Sequence, residues 1–155
     1  LSAAFKIRLD VEDHGWARFS VAEGGNAFET GGVSYLTDAL GDLVRAATDL
    51  VQGSDRCAVS FDGEPVETRL MLERVSVADL RLRVLQFEDI NRTSPTDQGD
   101  EMFSAIMPID AFARAVLREA DRIGGGEPGV AAYERSWTQP YPARDIEALR
   151  TARKV

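Results

Sequence analysis

Alternating apolar and charged residues indicate the first strands of the chain. From Phe5 to Val11 every second residue is apolar and the residues between are charged, which is typical of a strand with one buried face. Asp13-His14-Gly15 favours a turn, and the alternation resumes over residues 17–21, so we expect a β-hairpin. The glycine pairs at 24–25 and 31–32 are interpreted as turns that precede the first helix.

The next segment repeats its apolar residues at intervals of three and four, as one face of a helix does. This pattern runs from Ser34 to Val51, with Ser34 or Thr37 as the predicted N-cap. Gly53 follows the last periodic residue, at a position where glycine commonly ends a helix. The sequence therefore predicts a first long helix here.

A second long helix is predicted after Pro108, with Asp110 as its N-cap and the glycines 124–126 at its end. Shorter helices are predicted over residues 128–137 and from Pro142, because proline is favoured in the first turn of a helix. Large aromatic residues lie near these short helices, and we expect them to anchor the helices to the core: Tyr133, Trp137 and Tyr141.

The middle of the chain returns to a period of two. Strands are predicted over residues 57–61, 66–72, 80–84 and 102–107. Pairing Leu72 with Leu82 sets apolar residues against apolar residues, whereas a slip of one residue would oppose apolar and charged side chains. We predict this register, or one that differs by two residues. The polar segment 89–101 is predicted to be a mobile loop.

The order of these elements indicates an α+β fold with antiparallel strands. The predicted order is ββ-α-βββ(β)-α followed by short helices, and its tight connections favour antiparallel pairing over a doubly wound parallel sheet. We expect an antiparallel sheet of five or six strands packed by two main helices. A chain of 155 residues has ordinary single-domain size, so residues 1–155 are expected to form one domain.

The chain is acidic, which narrows the expected partners. Asp and Glu outnumber Lys and Arg by 26 to 18, giving a formal net charge of −8. This charge opposes binding to nucleic acid and to anionic membranes, so neither is expected as a partner. No apolar run is long enough to span a bilayer and no signal-peptide pattern is visible, so we expect a cytoplasmic protein.

The scarcity of histidine and cysteine excludes several kinds of chemistry. His14 is the only histidine, which rules out paired-histidine metal sites and paired-histidine acid-base schemes. Cys57 is the only cysteine, which rules out an intrachain disulfide and a cysteine-based zinc site. We expect a solvated turn histidine and a structural thiol, and we predict no metal or other cofactor.

The densest group of candidate side chains is the segment Phe61-Asp62-Gly63-Glu64-Pro65-Val66-Glu67-Thr68-Arg69. Three carboxylates around a turn, with an arginine close behind, could hold a cation or divide acid and base roles. Alternatively, these acids are solvated or paired with arginines of the strands. Two more arginines follow on the next predicted strand and share a face with the first. The candidate ligand-binding residues are Asp62, Glu64, Glu67, Arg69, Arg81 and Arg83.

Two motifs of this chain, taken together, resemble a family of small uncharacterised bacterial proteins. The motifs are Ser34-Tyr35-Leu36-Thr37-Asp38-Ala39-Leu40-Gly41-Asp42-Leu43 and the Phe61–Arg69 segment. Further similarity lies in Phe112-Ala113-Arg114-Ala115-Val116-Leu117, so the resemblance extends over about two-thirds of the chain. It implies a bacterial, cytoplasmic, single-domain protein. No activity is established for that family, so the resemblance assigns no catalytic residue.

A protein-binding role fits these observations better than catalysis does. The face of the predicted strands that carries Arg69, Arg81 and Arg83 also carries methionine and aromatic residues. Residues of these types are common at protein interfaces. The negative charge favours a basic protein as partner, such as a toxin that this chain would inhibit as an immunity protein does. Two alternatives stay open. One is a small-ligand or metal-dependent enzyme that uses Asp62, Glu64, Glu67 and Arg69, and the other is a structural homo-oligomer formed through a sheet edge or the arginine face.

Overall fold

The computed structural model describes residues 4–12, 15–35, 37–88, 94–126, 129–137 and 139–154. The strands in these ranges are β1 (Lys6–Val11), β2 (Trp16–Glu23), β3 (Asn26–Ser34), β4 (Arg56–Asp62), β5 (Glu67–Arg74), β6 (Asp79–Phe87) and β7 (Asp100–Pro108). The α-helices are α1 (Ala39–Val51), α2 (Ile109–Gly125), α3 (Val130–Trp137) and α4 (Ala143–Arg153).

The strands form two antiparallel sheets, each with its strands in chain order. Sheet A contains β1, β2 and β3, and sheet B contains β4 to β7. The α+β class, the antiparallel pairing and the two main helices are therefore confirmed. The expectation of five or six strands in one sheet is corrected, because the described residues form seven strands in two sheets.

The additional strand is β3, in the region where the glycine pairs were interpreted as turns. Only its last two residues, Val33 and Ser34, are buried, so β3 shows almost no period-two pattern of apolar residues. Gly24, with a φ of 61°, lies in the tight turn between β2 and β3. Gly31 belongs to the strand itself, beside a register shift in its pairing with β2.

The predicted register of β5 and β6 is confirmed. Leu72 lies opposite Leu82, and Leu70 lies opposite Val84. These four side chains are buried in the hydrophobic core. We call this side of sheet B its inner face, and the opposite side, which carries Arg69 and its neighbours, its outer face.

The two long helices join both sheets to one hydrophobic core. α1 packs against β4 and α2, whereas α2 packs against β1 and β7. Their buried stripes include Leu40, Leu43, Phe112 and Val116. Burial of each such side chain contributes roughly 1.5–3 kcal/mol, so the helix-to-sheet packing helps to fix sheet A relative to sheet B.

The start of α1 differs from the prediction. Asp38 is its N-cap, and the Asp38 carboxylate accepts a hydrogen bond from the N–H of Gly41. Ser34 ends β3 instead of capping the helix, and Thr37 accepts a hydrogen bond from β4. The predicted end is confirmed, since Gly53 follows the helix with a φ of 112°.

The later helices follow the predicted order with one change at a cap. Pro108 is the N-cap of α2, and Asp110 lies in the first turn, where a carboxylate favours the helix dipole. α4 begins directly after Pro142, as predicted. Trp137 is fully buried and its Nε1 donates to the C=O of Thr37 at 3.1 Å, so this aromatic residue does anchor α3. None of the described helices combines the length and apolarity needed to cross a membrane.

Candidate functional site

Two of the predicted site residues, Glu67 and Arg69, form a buried ion pair on the outer face of sheet B. Arg69 Nε donates to Glu67 Oε2 at 2.8 Å, and Arg69 Nη2 donates to Glu67 Oε1 at 3.0 Å. Ser60 Oγ of β4 donates to the same Oε2 at 2.6 Å. The side chains of Glu67 and Arg69 are 0% and 9% exposed. Both carboxylate oxygens are thus already engaged inside the protein.

Residues 94–99 cover this half of the outer face. Arg69 Nη1 donates to the C=O of Ser94 at 3.0 Å, and the guanidinium lies 4.2 Å from the centre of the Phe87 ring. Gly99 approaches the same ring so closely that a Cβ at position 99 would lie 2.6 Å from it. The described part of the predicted mobile loop therefore packs on the sheet, while residues 89–93 lie outside the described residues.

The other two carboxylates of the cluster differ in burial. Asp62 lies opposite Glu67 in the register of β4 and β5 and is 7% exposed. Its N–H donates to Thr37 Oγ1 at 2.8 Å, and it borders a cavity of about 170 Å³. Glu64 is exposed in the β4–β5 turn, where its φ is 46°. Glu64 is therefore the carboxylate of this cluster that faces solvent.

Arg81 and Arg83 share the outer face with Arg69 but lie beyond its covered half. Leu85 lies opposite Arg69, so these two arginines follow further along β6. Arg83 Nε donates to Glu101 Oε1 at 2.7 Å in an exposed ion pair. Arg81 lies opposite Ile106, whose side chain is 54% exposed. The six predicted residues therefore lie in one region of sheet B without converging on one pocket.

The remaining candidates for chemistry give no site. Cys57 is half-buried, and burial together with the charge of Asp49 raises the pKa of its thiol to about 12. The thiol is protonated at neutral pH, as a structural cysteine is expected to be. His14 lies outside the described residues. Within the described ranges, no group of three or more His, Cys, Asp or Glu side chains is arranged to hold a metal ion.

A groove lies between α1 and the outer edge of β4, and the sequence analysis did not anticipate it. Its volume is about 420 Å³. It is lined by Asp42, Arg45, Ala46 and Asp49 of α1 and by Cys57, Ala58, Val59 and Ser60 of β4. We call it the α1–β4 groove. Cys57 Sγ lies 3.7 Å from the C=O of Ala46, so the helix forms one wall of the groove and the strand forms the other.

Carboxylates outnumber the guanidinium of the α1–β4 groove. Arg45 donates to Asp42 at 2.6 Å, to Asp38 at 3.0 Å and to Asp145 of α4 at 2.8 Å. Burial lowers the pKa of Arg45, but these hydrogen bonds outweigh it and hold that pKa above its ordinary value. Asp42 and Asp49 are the two carboxylates among the residues that line the groove, and Arg45 is the one guanidinium there. The groove surface is therefore negatively charged.

A second cavity, of about 490 Å³, lies between β1 and α2, and basic residues border it. These residues are Lys6, Arg8, Arg118 and Arg122. Two side chains of α2 bond to the edge of β1 beside it. The N–H of Leu9 donates to Glu119 Oε2 at 2.6 Å, and Arg122 Nη2 donates to the C=O of Leu9 at 3.2 Å. Glu119 and Arg122 thus take the hydrogen-bonding place of a neighbouring strand.

Comparisons with protein-family models, with curated proteins and with solved structures find no match to this chain. The resemblance carried by the Ser34–Leu43 and Phe61–Arg69 motifs therefore stays a prediction. The functional argument rests on the geometry and the charge of the surfaces described above.

Proposed function

We propose that this chain is a protein-binding domain whose partner presents a basic surface. The acidic α1–β4 groove is the observation that carries the proposal, because Asp42 and Asp49 line it and its one guanidinium, Arg45, is already paired with Asp38, Asp42 and Asp145. Complementary charge across an interface accelerates encounter and selects among partners. The net charge of −8 acts in the same direction at longer range. A cytoplasmic inhibitor, such as the immunity protein of a basic toxin, has these properties.

A small-ligand or metal-dependent enzyme receives less support from the geometry. A catalytic carboxylate must reach its substrate, and both oxygens of Glu67 are held by Arg69 and Ser60. The cavity beside Asp62 measures about 170 Å³, whereas ligand pockets commonly measure roughly 300–1,000 Å³. We expect no heat of binding in calorimetry with divalent cations or phosphorylated metabolites. A saturable heat that Asp62→Asn abolishes would favour the enzyme instead.

The test of the proposed function is a pull-down from native bacterial lysate with the immobilised chain at low salt. We expect it to retain an identifiable basic protein that binds again after purification. Salt of about 0.5 M should release that protein, because the Debye length then falls to a few ångströms. The double variant Asp42→Asn/Asp49→Asn removes two groove carboxylates and should retain much less of it.

A charge-matched control separates the groove from the overall charge of the chain. Glu29→Gln/Glu101→Gln also removes two charges, but Glu29 lies on β3 and Glu101 on β7. We expect the control to retain the partner almost as well as the original chain. Equal losses in both double variants, or no basic protein retained by the original chain, would contradict the proposal.

A further inference from the structure

The outer edges of the sheets differ in how their backbone groups are satisfied. At the edge of β1, Glu119 and Arg122 bind both the N–H and the C=O of Leu9. At the edge of β7, Asn26 Nδ2 donates to the C=O of Ser104 at 3.1 Å, and the pairing of β7 with β6 contains a register shift. Covered edges and irregular pairing are ways in which proteins prevent an unwanted strand from being added.

The centre of the β4 edge is not covered in this way by any of the residues that the structure describes. The N–H of Gly63 donates to the C=O of Val66. In an antiparallel pair every second residue bonds to the same neighbouring strand, so Phe61 and Val59 also direct their backbone N–H and C=O groups towards β5. The alternate residues direct theirs away from β5. The N–H of Asp62 meets Thr37, as described above. For Ala58 and Ser60, the described residues provide no hydrogen-bond partner to the outward N–H and C=O groups.

β4 is also regular enough to accept another strand. Its pairing with β5 runs from Arg56 to Asp62 without a register shift, and it contains no proline. Ala58 is exposed, and its small side chain leaves room beside the strand. An extended peptide placed along this edge would lie in the α1–β4 groove, where its backbone could bond to Ala58 and Ser60.

Side-chain alternation then determines the chemistry of the added strand. Successive residues of an extended segment point to opposite faces of the sheet. On the inner side every second residue would face α1, which presents Asp42 and Asp49 together with Arg45, whose charge is already paired with Asp38, Asp42 and Asp145. On the outer side the intervening residues would lie beside Ala58 and Ser60, where small or β-branched residues fit.

We propose that the edge of β4 binds an extended basic segment of the partner as an added strand, with lysine or arginine at every second position facing α1. This inference rests on the proposed function, and it specifies how that partner is bound. A second copy of this chain fits less well, because a symmetric β4–β4 contact would bring the carboxylates of two α1 helices together.

The probe is a capped ten-residue peptide in which lysine alternates with valine, and its control alternates glutamate with valine. Hydrogen exchange is measured by NMR with and without the peptide. Without it, the amides of Ala58 and Ser60 should exchange faster than that of Val59, which bonds to β5. The lysine peptide should slow both outward amides at least tenfold and the glutamate peptide should not. Unchanged exchange with the lysine peptide would overturn the inference.

Two substitutions at Ala58 test the backbone bond directly. Ala58→Pro removes an N–H that β5 does not use, and proline is tolerated at such edge positions. Ala58→Ser changes the side chain by a similar small amount and keeps the N–H. We expect Ala58→Pro to bind the lysine peptide at least tenfold more weakly, and Ala58→Ser to bind like the original chain. Equal binding by the two variants would overturn the inference. If Ala58→Pro does not fold, the hydrogen-exchange measurement on the original chain still tests the inference.

The outcomes separate this inference from the proposed function. If a basic partner depends on the groove carboxylates but binds Ala58→Pro as tightly as the original chain, strand addition is wrong and the protein-binding function stands. If no basic partner depends on those carboxylates, the proposed function itself fails. Sedimentation at high concentration should show a monomer. A dimer that Ala58→Pro dissociates would assign this edge to a second copy and overturn the inference.

Discussion

Replacing Arg69 by methionine tests whether the Glu67–Arg69 pair is a structural network or a ligand site. The substitution keeps an apolar chain against the Phe87 ring, but it removes both guanidinium hydrogen bonds to Glu67 and leaves the Ser60 hydroxyl as a donor to that carboxylate. Removal of one partner from a buried ion pair costs about 3–5 kcal/mol, because the remaining charge stays away from water. In a domain of this size 1 kcal/mol corresponds to roughly 2–4 °C, so the melting temperature should fall by about 10 °C.

The same substitution at Arg83 is the matched control. Arg83 lies on the same face and pairs with Glu101 at 2.7 Å, but these side chains are 37% and 48% exposed. Exposed pairs contribute about 0.2–1 kcal/mol, so Arg83→Met should scarcely shift the urea midpoint. Urea denaturation followed by circular dichroism gives the free energy of unfolding of each variant on one scale.

A double variant distinguishes loss of the pair from loss of packing. Glu67→Leu/Arg69→Met removes both charges, and apolar replacement of a whole buried pair is often close to neutral. We expect the double variant to be more stable than Arg69→Met alone. The structural reading is refuted if Arg69→Met loses less than about 1 kcal/mol, or if the double variant is the less stable of the two.

Three further predictions concern single side chains. Glu119→Ala should lower the free energy of unfolding by about 2–3 kcal/mol in urea titration and accelerate amide exchange at Leu9, because that N–H loses its charged acceptor. Tyr133→Phe should leave stability unchanged or raise it by up to about 1 kcal/mol in the same assay, since the buried Tyr133 hydroxyl has no partner among the described residues. The raised pKa of Cys57, about 12 against about 9, predicts that its protonated thiol contributes stability that is complete below about pH 9 and lost as the pH rises towards 12. Cys57→Ala lacks this contribution, so in urea titrations the original chain should lose stability relative to Cys57→Ala as the pH rises from about 9 towards 12.

Controls for these predictions come from the same chain. Glu29→Ala removes an acid whose pair with Arg18 is exposed, and it should cost at most about 1 kcal/mol. Tyr141→Phe removes a hydroxyl that donates to the C=O of Ala120 at 2.6 Å, so it should destabilise by about 1 kcal/mol where Tyr133→Phe does not. Equal effects of the two tyrosine variants would contradict the reasoning, as would a Cys57→Ala difference that is independent of pH.

The parts of the fold that the sequence predicted well are those with a strong apolar period. The register of β5 and β6 was predictable because a slip by one residue would expose Leu70 and Leu72. β3 was not predictable, because most of its side chains are partly or fully exposed. The α1 cap shifted to Asp38 because tertiary structure uses Ser34 in a strand and Thr37 in a hydrogen bond to β4.

The candidate site shows the same division between local pattern and tertiary placement. Alternation along β5 places Glu67 and Arg69 on one face, but the contact of Arg69 with Ser94 and the packing of Gly99 on Phe87 come from residues 94–99, which follow a segment without apolar periodicity. The acidic groove did leave a recognisable pattern in the sequence. Asp38, Asp42 and Asp49 recur at helical spacing on the side of α1 opposite its apolar stripe, although only the position of β4 turns that side into a groove.

The hydrogen bond from Leu9 to Glu119 has a consequence during synthesis on the ribosome. The two residues are 110 positions apart, whereas β1, β2 and β3 pair with their neighbours along the chain. At roughly 5–20 residues per second, Leu9 precedes Glu119 by roughly 5–20 s. The nascent chain can therefore assemble sheet A while one edge of that sheet is still bare, and for those seconds the edge is open to chaperones and to other nascent chains.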